Sequence, residues 1–259
     1  MKNYVSKIPL GDGKFAFHQD PTFQRLGLDL TEKILQNWKA PNIFYHMRNG
    51  GHIAALHKHL EGQYFSHFDI RRFFYQITKN KIIRSLKRIG FSYDKAIDAA
   101  SHSVVHVDNT YFLPYGFTQS PILASLCLFH SGAGRYLMRL PKTVLVSVYV
   151  DDIILSATSK DELSQVSEEA AQWFEASQFP FAPDKTEVCQ SAITSFNVEL
   201  SHGHTQITDD RMRAFKRQVT ENIYNKGSLQ GIQNYISSIN TEQSDEISAY
   251  IEGLFKGQA

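Results

Sequence analysis

Two segments carry carboxylates in settings that favour metal-assisted chemistry. Asp69 ends an apolar run at residues 64–70, and Asp151 and Asp152 follow the β-branched run at residues 144–150. If the two segments lie side by side, Asp69 and Asp151 converge, and close carboxylates are costly unless a cation binds between them. Mg²⁺ prefers such oxygen ligands, and two ions about 3.5–4 Å apart can stabilise the attacking and leaving oxygens of a phosphoryl transfer.

The adjacency of Asp151 and Asp152 adds a geometric constraint. Neighbouring strand residues point to opposite faces, so one of the two is expected to face the site while the other lies beside it. A plainer interpretation also holds for each residue alone, since an Asp-Asp pair is ordinary turn chemistry and Asp69 could simply end a strand. The combination of these residues favours a site.

The order of the predicted strands and helices around these residues indicates an α+β fold with a mainly antiparallel sheet. It excludes a doubly wound parallel sheet. Residues 64–70 read as a strand, and residues 144–150 and 153–158 as a hairpin joined by Asp151 and Asp152. A second hairpin is predicted around Gly203, and the first 60 residues are expected to be mostly irregular. Helices are predicted over residues 28–38, 79–89, 93–105, from Ser120-Pro121 toward Arg139, after the capping box Ser159–Glu162, and from Asp209 onward.

Composition narrows the class of protein. The chain has 259 residues, 42% of them hydrophobic and 20% charged, which supports a sizeable core and excludes wholesale disorder. No apolar run reaches the length of a membrane span, and residues 1–7 lack the apolar core of a signal peptide. Two cysteines cannot build a disulfide framework. We therefore expect a cytoplasmic protein without a membrane partner.

Charge is balanced overall but uneven along the chain. The net charge of +1 argues against coating nucleic acid by bulk charge, yet it leaves room for a local basic groove. Seven basic residues and no acidic one lie between Arg71 and Arg88, and a second cluster spans residues 211–217. Such clusters suit phosphate backbones, although a solvated helix face would look similar.

Five segments, in this order, resemble the reverse transcriptases, and in particular the small prokaryotic group that includes retron and phage-defence enzymes. The tetrad Tyr-Val-Asp-Asp at 149–152 is similar to the central signature of that family. The others are Phe-Asp-Ile-Arg-Arg-Phe-Phe-Tyr-Gln-Ile at 68–77, Leu-Pro-Tyr-Gly-Phe-Thr-Gln-Ser-Pro-Ile-Leu-Ala at 113–124, Ala-Pro-Asp-Lys-Thr at 182–186 and Ser-Leu-Gln-Gly-Ile-Gln-Asn-Tyr-Ile at 228–236. The resemblance implies a right-hand polymerase, with fingers and palm over residues 1–208 and a short helical thumb over residues 209–259.

The resemblance also implies a catalytic centre with two Mg²⁺ ions, for which Mn²⁺ can substitute. Asp69 and Asp151 would ligate both ions, the Ile70 carbonyl would add an oxygen, and Asp152 would assist more weakly. Together these residues imply an RNA-directed DNA polymerase that adds deoxynucleotides to a 3′ end, in antiphage defence.

Four residues are implied to bind the nucleotide. Phe74 would lie below the sugar and exclude a 2′-hydroxyl, and Gly116, without a Cβ, would let the backbone approach the incoming base pair. Gln119 would hydrogen-bond the template or nucleotide, and Lys185 would neutralise the triphosphate or protonate pyrophosphate. Plainer roles remain open: a core aromatic for Phe74, a helix cap for Gln119 and an exposed cation for Lys185.

The implied partners are an RNA template, a DNA or RNA primer, deoxynucleotides and a cognate non-coding RNA. One residue departs from the family pattern, because Tyr115 stands where glutamine is usual and can stack on a base but cannot make the amide's hydrogen bonds. Two alternatives stay open: untemplated or protein-primed DNA synthesis on the same palm, and a non-catalytic RNA-binding module. The residues implied to contact nucleic acid are Arg71, Arg72, Arg84, Lys87, Arg88, Tyr115, Arg211 and Arg213.

Overall fold

A four-stranded sheet organises the chain, and its strand order is β6-β7-β3-β8 with every neighbour antiparallel. The computed structural model describes residues 2–107 and 109–256. The strands are β1 (Tyr4–Gly11), β2 (Lys14–Gln19), β3 (Tyr64–Asp69), β4 (Val105–Val107), β5 (Thr110–Phe112), β6 (Leu145–Tyr149), β7 (Asp152–Ala157), β8 (Glu187–Gln190), β9 (Ala192–Ser195), β10 (Val198–Ser201) and β11 (His204–Ile207). The helices are α1 (Pro21–Asn37), α2 (Gly51–Lys58), α3 (Lys79–Arg88), α4 (Tyr93–Ser103), α5 (Ser120–Phe129), α6 (Gly132–Leu137), α7 (Lys160–Ala176), α8 (Asp209–Glu221), α9 (Lys226–Ser237) and α10 (Thr241–Lys256).

The two faces of this sheet pack against different helices. Successive residues of a strand point to opposite faces. Phe68 accordingly packs in the core formed with α3, α5 and α7, while Phe65 packs in a second cluster with β9–β11 and α8–α10. Phe181 stacks between Phe68 and Phe174 of α7, with ring centroids 4.5 Å apart on each side. This offset stacking fixes α7 against the face that carries Phe68.

The α+β class and the antiparallel sheet predicted from the sequence are confirmed. The strand ending at Asp69, the helices α3 and α4, and the hairpin β6–β7 lie where the sequence predicts them, give or take two residues. Ser159 caps α7 by accepting a hydrogen bond from the Glu162 N–H. Among the described residues, no helix is long and apolar enough to span a bilayer.

The N-terminal prediction is wrong. Residues expected to be irregular form the hairpin β1–β2, and α1 begins at Pro21 rather than near residue 28. Asp20 caps α1 by accepting from the Thr22 N–H, and proline suits the first turn because it lacks an N–H. The apolar side chains of β1 are exposed on both faces, so their pattern does not alternate and gives no strand signal.

Two further boundaries differ from the prediction. The helix expected to run from Ser120 toward Arg139 breaks at His130, and α6 restarts with Ser131 accepting from the Gly134 N–H. A Cβ on Gly134 would lie 2.1 Å from the Leu128 carbonyl oxygen, so the break depends on this glycine. The second predicted hairpin is a three-stranded sheet, β9–β10–β11, with Phe196 and Asn197 in left-handed conformations at its first turn.

Candidate active site

Asp69 and Asp152 lie directly opposite each other at the ends of β3 and β7. Tyr149 also pairs with Asp152, so the residues that turn the β6–β7 hairpin are Val150 and Asp151. The predicted connection of Asp151 and Asp152 is therefore wrong by one residue. The Ile70 N–H donates to the Asp151 carbonyl oxygen at 2.9 Å, and this bond ties the turn to the end of β3.

The three carboxylates form a crowded, partly buried group. Burial, followed by the charges of Asp152 and Asp69, raises the pKa of Asp151 to about 6. The Lys185 ammonium lies 3.1 Å from Asp69 Oδ2, and this hydrogen bond raises the pKa of Lys185. The structure thus brings Asp69, Asp151, Asp152 and Lys185 together from strands that are remote in sequence.

The donor set fits a divalent cation. Among the described residues, no three His, Cys, Asp or Glu side chains are already arranged as a metal site. However, the nearby Asp152 and Asp69 charges contribute to the raised pKa of Asp151, a repulsion that a shared cation would relieve, and Lys185 already supplies one positive charge at Asp69. Carboxylate oxygens are the ligands that Mg²⁺ prefers. Asp69, Asp151 and Asp152 could hold it.

Two histidines that the sequence did not single out position this group. His67 Nε2 lies 2.9 Å from Asp152 Oδ1, which anchors Asp152 on the face of the sheet that it shares with Asp69. His67 precedes Asp69 by two residues, so the strand period could have shown that they share a face.

His46 forms a hydrogen bond with the turn of the β6–β7 hairpin. Its Nδ1 accepts from the Val150 N–H at 3.0 Å, and its Nε2 lies 2.7 Å from Ser125 Oγ. Burial lowers the pKa of His46 to about 4, so the ring is neutral and can accept this bond. Val150 has a φ of +58°, a conformation that β-branched residues seldom adopt. No pattern in the sequence links His46 to this turn.

Phe74 and Tyr115 meet beside the carboxylates. Their rings are edge to face with centroids 4.6 Å apart, and Phe74 is almost fully buried. Burial, and next the Asp151 charge, raises the pKa of the Tyr115 phenol, so its hydroxyl stays protonated. Tyr115 therefore lies near enough to the carboxylates for their charges to act on it, and its ring supports Phe74 from one side.

Gly116 makes a close backbone contact within the chain that the sequence did not predict. A Cβ on Gly116 would lie 2.5 Å from the Phe17 carbonyl oxygen, and the φ of Gly116 is +95°. The Phe17 N–H also donates to the Tyr115 carbonyl oxygen at 2.8 Å. The backbone that approaches Gly116 is thus that of β2, and glycine is required because the N-terminal hairpin packs there.

Gln119 does not face the site, so its predicted contact with template or nucleotide is wrong. It is 1% exposed, and its Oε1 accepts from Gln19 Nε2 at 3.1 Å while its Nε2 donates to Ser103 Oγ at 3.3 Å. Its side chain does not cap α5 either. Gly27 of α1 packs so closely that a Cβ there would lie 2.2 Å from Gln119 Oε1. Gln119 is a buried polar link between α1, α4 and α5.

The basic run predicted between Arg71 and Arg88 divides into separate environments. Arg71 is exposed next to the carboxylate-bearing strand. Arg72 donates to the Asp12 carbonyl oxygen of the β1–β2 turn. Arg84 and Arg88 lie on α3 and face a cavity beside α6 and α7, which contains none of the site carboxylates. The run is therefore not one continuous surface.

The remaining basic residues lie on helix surfaces. The Lys87 ammonium is 5.3 Å from the centre of the Tyr93 ring. Arg211 of α8 lies over the Phe215 ring at 4.3 Å, and Arg213 forms an ion pair with Asp210. All of these contacts leave the side chains at the surface, where a phosphate could reach them.

Comparison with known proteins agrees with this geometry. Residues 25–243 match the family model described as "Reverse transcriptase (RNA-dependent DNA polymerase)". A 105-residue stretch is 29% identical to the Gag-Pol polyprotein of Baboon endogenous virus (strain M7); it covers 40% of this chain and 6% of that polyprotein.

Solved structures share the fold at low sequence identity. Telomerase from Candida albicans, in complex with a fragment of telomeric RNA, superposes with a TM-score of 0.57 at 12% identity, over 92% of this chain and 48% of that one. The foamy viral protease-reverse transcriptase, in complex with double-stranded DNA, gives a TM-score of 0.54 at 18% identity, over 98% of this chain and 43% of that one. This chain thus spans less than half the length of these proteins.

Proposed function

The chain belongs to the reverse transcriptase (RNA-dependent DNA polymerase) family, and from that membership we propose that it extends a nucleic-acid 3′ end with deoxynucleotides copied from an RNA template. The observation that carries the proposal is the meeting of Asp69, Asp151 and Asp152 at one end of the sheet, with Lys185 against Asp69. In this reaction the 3′-hydroxyl attacks the α-phosphorus and pyrophosphate leaves.

The carboxylates would hold the divalent ions. Asp69 and Asp151 are the proposed ligands of two Mg²⁺ ions, with the Ile70 carbonyl and a weaker contribution from Asp152, which His67 already engages. Bound there, the ions would stabilise the charge that develops on the attacking and leaving oxygens. Mn²⁺ is expected to substitute because it takes similar oxygen ligands.

Lys185 supplies a mobile positive charge. Its side chain is about half exposed and is paired only with Asp69 among the described carboxylates. When a cation binds the carboxylates, the ammonium is freed to neutralise the triphosphate or to protonate the leaving pyrophosphate. Phe74, braced by Tyr115, is the proposed barrier to a ribose 2′-hydroxyl.

Template and primer are proposed to pass the end of the sheet that carries Asp69, Asp151 and Asp152, between the N-terminal region and α8–α10. We propose residues 1–208 as fingers and palm and residues 209–259 as a thumb, with Arg71, Arg211 and Arg213 contacting phosphates. The solved relatives carry telomeric RNA in one case and double-stranded DNA in the other, which supports a nucleic-acid substrate. Binding should weaken steeply as salt rises.

The test is incorporation of labelled deoxynucleotide on a primed RNA template with Mg²⁺. Asp151→Asn should lower the rate at least about a hundredfold, and Asp152→Asn should lower it less. Asp29→Asn, on the exposed face of α1, is the matched control and should leave the rate unchanged. Activity equal to the unaltered chain in Asp151→Asn would refute the carboxylate assignment.

Tyr115 favours a second candidate, which is untemplated or protein-primed synthesis at the same site. An aromatic ring near the carboxylates can stack on a base without reading its edge. Sequencing the product decides between the two. A faithful complement of the supplied RNA rejects the second candidate, and a homopolymer or low-complexity product supports it.

The retron and phage-defence subgroup, a cognate non-coding RNA and action in the cytoplasm are proposed from the segment resemblance alone. Deleting the gene and challenging the host with a broad phage panel tests the defence role, and unchanged sensitivity would count against it. Sequencing RNA that copurifies with the protein tests the RNA partner. Binding of RNA without incorporation on any primer would favour a non-catalytic RNA-binding module.

A further inference from the structure

A cationic cavity lies on the side of the sheet opposite the candidate active site. It has a volume of about 380 Å³, is open to solvent on one side and is lined by α3, the α5–α6 junction and the end of α7. Phe68 and Phe174 pack α7 against one face of the sheet, whereas the side chains of Asp69 and Asp152 belong to the other face. None of the residues proposed for catalysis lines this cavity.

Four cations converge on the cavity without acidic partners. Lys81, Arg84, Arg88 and Arg135 line it, and none of the described lining residues is Asp or Glu. Within the described chain, no carboxylate lies within 4.0 Å of these four side chains.

Among the described residues, the hydrogen-bond acceptors of these cations are backbone carbonyl groups, and the Lys81 ammonium also lies 3.9 Å from the centre of the Phe179 ring. Arg88 and Arg135 both donate to the His130 carbonyl oxygen, at 2.6 and 3.0 Å, and Lys81 donates to the Ser177 and Gln178 carbonyl oxygens at 3.3 Å. Each guanidinium has five N–H donors, so most donors of the arginines remain for a ligand.

The local field is strongly positive. Burial, with the Arg84 charge adding to it, lowers the pKa of Lys81 to about 8. Burial, together with Arg88 and Arg135, lowers the pKa of His130 to about 4. An anion in the cavity would relieve this repulsion, because an opposite charge favours the protonated forms of both groups.

We propose that this cavity binds the di- or triphosphate group of a nucleoside polyphosphate, as a second site distinct from the polymerase site. The volume suits one nucleotide-sized ligand. Four cations without a carboxylate partner among the described residues match the several negative charges of a polyphosphate better than the single charge that each nucleotide of an RNA strand contributes. Trp173, which is 47% exposed at the rim, offers an indole surface to the base.

The experiment is an equilibrium titration in EDTA, which keeps divalent ions out of the carboxylate site. The chain has two tryptophans, and Trp38 is buried in the core, so a change of indole fluorescence on binding reports on Trp173. The probes are inorganic tripolyphosphate, GTP, AMP and a ten-nucleotide oligouridylate with a 5′-hydroxyl. Calorimetry provides an independent Kd.

Tripolyphosphate and GTP should bind to the unaltered chain, and AMP should bind much more weakly. The double variant Arg84→Gln/Arg88→Gln should weaken GTP binding roughly a hundredfold, which corresponds to about tenfold for each arginine. Both arginines are exposed on α3, so the variant is expected to fold, and circular dichroism verifies this. Arg25→Gln/Arg217→Gln removes the same charge from α1 and α8 and should leave the Kd unchanged.

Lys185→Gln distinguishes GTP binding in this cavity from GTP binding at the proposed polymerase site. It should leave GTP binding in EDTA unchanged, whether or not the proposed polymerase reaction is correct. Equal GTP affinity in Arg84→Gln/Arg88→Gln and the unaltered chain would overturn the proposal. So would binding of the oligouridylate with no binding of tripolyphosphate, since that pattern indicates a surface for RNA backbone.

Discussion

The Lys185 ammonium lies 3.1 Å from the Asp69 carboxylate, where it occupies an oxygen that the proposed metal would need. Asp69 ends β3, and Lys185 lies in the short turn of 3₁₀ helix that precedes β8, a neighbour of β3 in the sheet. The Ala182 N–H donates to the Asp69 carbonyl oxygen at 2.8 Å, which holds the two segments together. Binding of the proposed cation would therefore be linked to release of Lys185 at one carboxylate.

Lys185→Gln should have different effects on nucleotide binding and on Mg²⁺ binding. The Michaelis constant for deoxynucleotide should rise at least about tenfold, since one charge-assisted phosphate contact is lost. The Mg²⁺ concentration for half-maximal rate should stay equal or fall, because no ammonium competes for Asp69. Single-nucleotide incorporation at varied nucleotide and Mg²⁺ measures both. Lys142→Gln, at an exposed position before β6, is the control, and an unchanged Michaelis constant in Lys185→Gln would contradict the assignment.

In the metal-free protein, the ionised Asp151 carboxylate should lower the free energy of unfolding above pH 6. Its pKa rises from 3.8 to about 6 on folding, so between these values the folded state binds more protons than the unfolded state, and stability falls as pH rises. The full difference corresponds to about 3 kcal/mol as an upper limit. Asp151→Asn removes this cost, and its gain in free energy of unfolding at pH 5 should be about half of that at pH 8. Urea unfolding in EDTA measures it.

The control for this effect is Asp29→Asn, which removes a carboxylate from the exposed side of α1. Its free energy of unfolding should follow that of the unaltered chain across the same pH range. A destabilised Asp151→Asn at pH 8 in EDTA would show that the Asp151 charge is already compensated within the folded chain.

Gln119→Ala should act on stability rather than on nucleotide binding. The change removes two buried hydrogen bonds, from Gln19 Nε2 at 3.1 Å and to Ser103 Oγ at 3.3 Å, while Gln19 Nε2 keeps the Phe23 carbonyl oxygen at 3.0 Å. Each lost bond typically costs about 0.5–1.5 kcal/mol. Gln172→Ala, on the exposed face of α7, is the matched control. A raised Michaelis constant for deoxynucleotide with no loss in urea unfolding would restore the role first inferred from the sequence.

Much of the sheet and its carboxylates could be predicted because local patterns determine them. The alternation of apolar residues in β3, β6 and β7 marks strands, and the order of segments places Asp69 beside the hairpin. The register could not be predicted, because the hairpin turn is held by contacts with other parts of the chain, among them the bond from the Val150 N–H to His46. That contact joins residues 104 positions apart.

The burial of individual side chains could not be predicted from the sequence either. Gln119 is a polar residue next to a helix start, and only the packing of α1 against it shows that it is buried. The N-terminal hairpin could not be predicted for a related reason. The apolar residues of β1 are exposed and do not alternate, and the contact of Phe17 with Tyr115 and Gly116 joins segments that are remote in sequence.

Phe74→Val should relax sugar selection. Phe74 is held edge to face by Tyr115, so its ring cannot swing away when a 2′-hydroxyl enters, and shortening it opens space below the sugar. The preference for deoxynucleotides over ribonucleotides, taken as the ratio of their kcat/KM values, should fall at least about tenfold. Competition between labelled dNTP and NTP on one primed template measures this ratio. Phe174→Val is the matched control, because Phe174 of α7 is fully buried against Phe181 rather than against Phe74 or Tyr115. It should lose stability yet keep the ratio, and an equal fall in both variants would attribute the effect to general loosening of the fold.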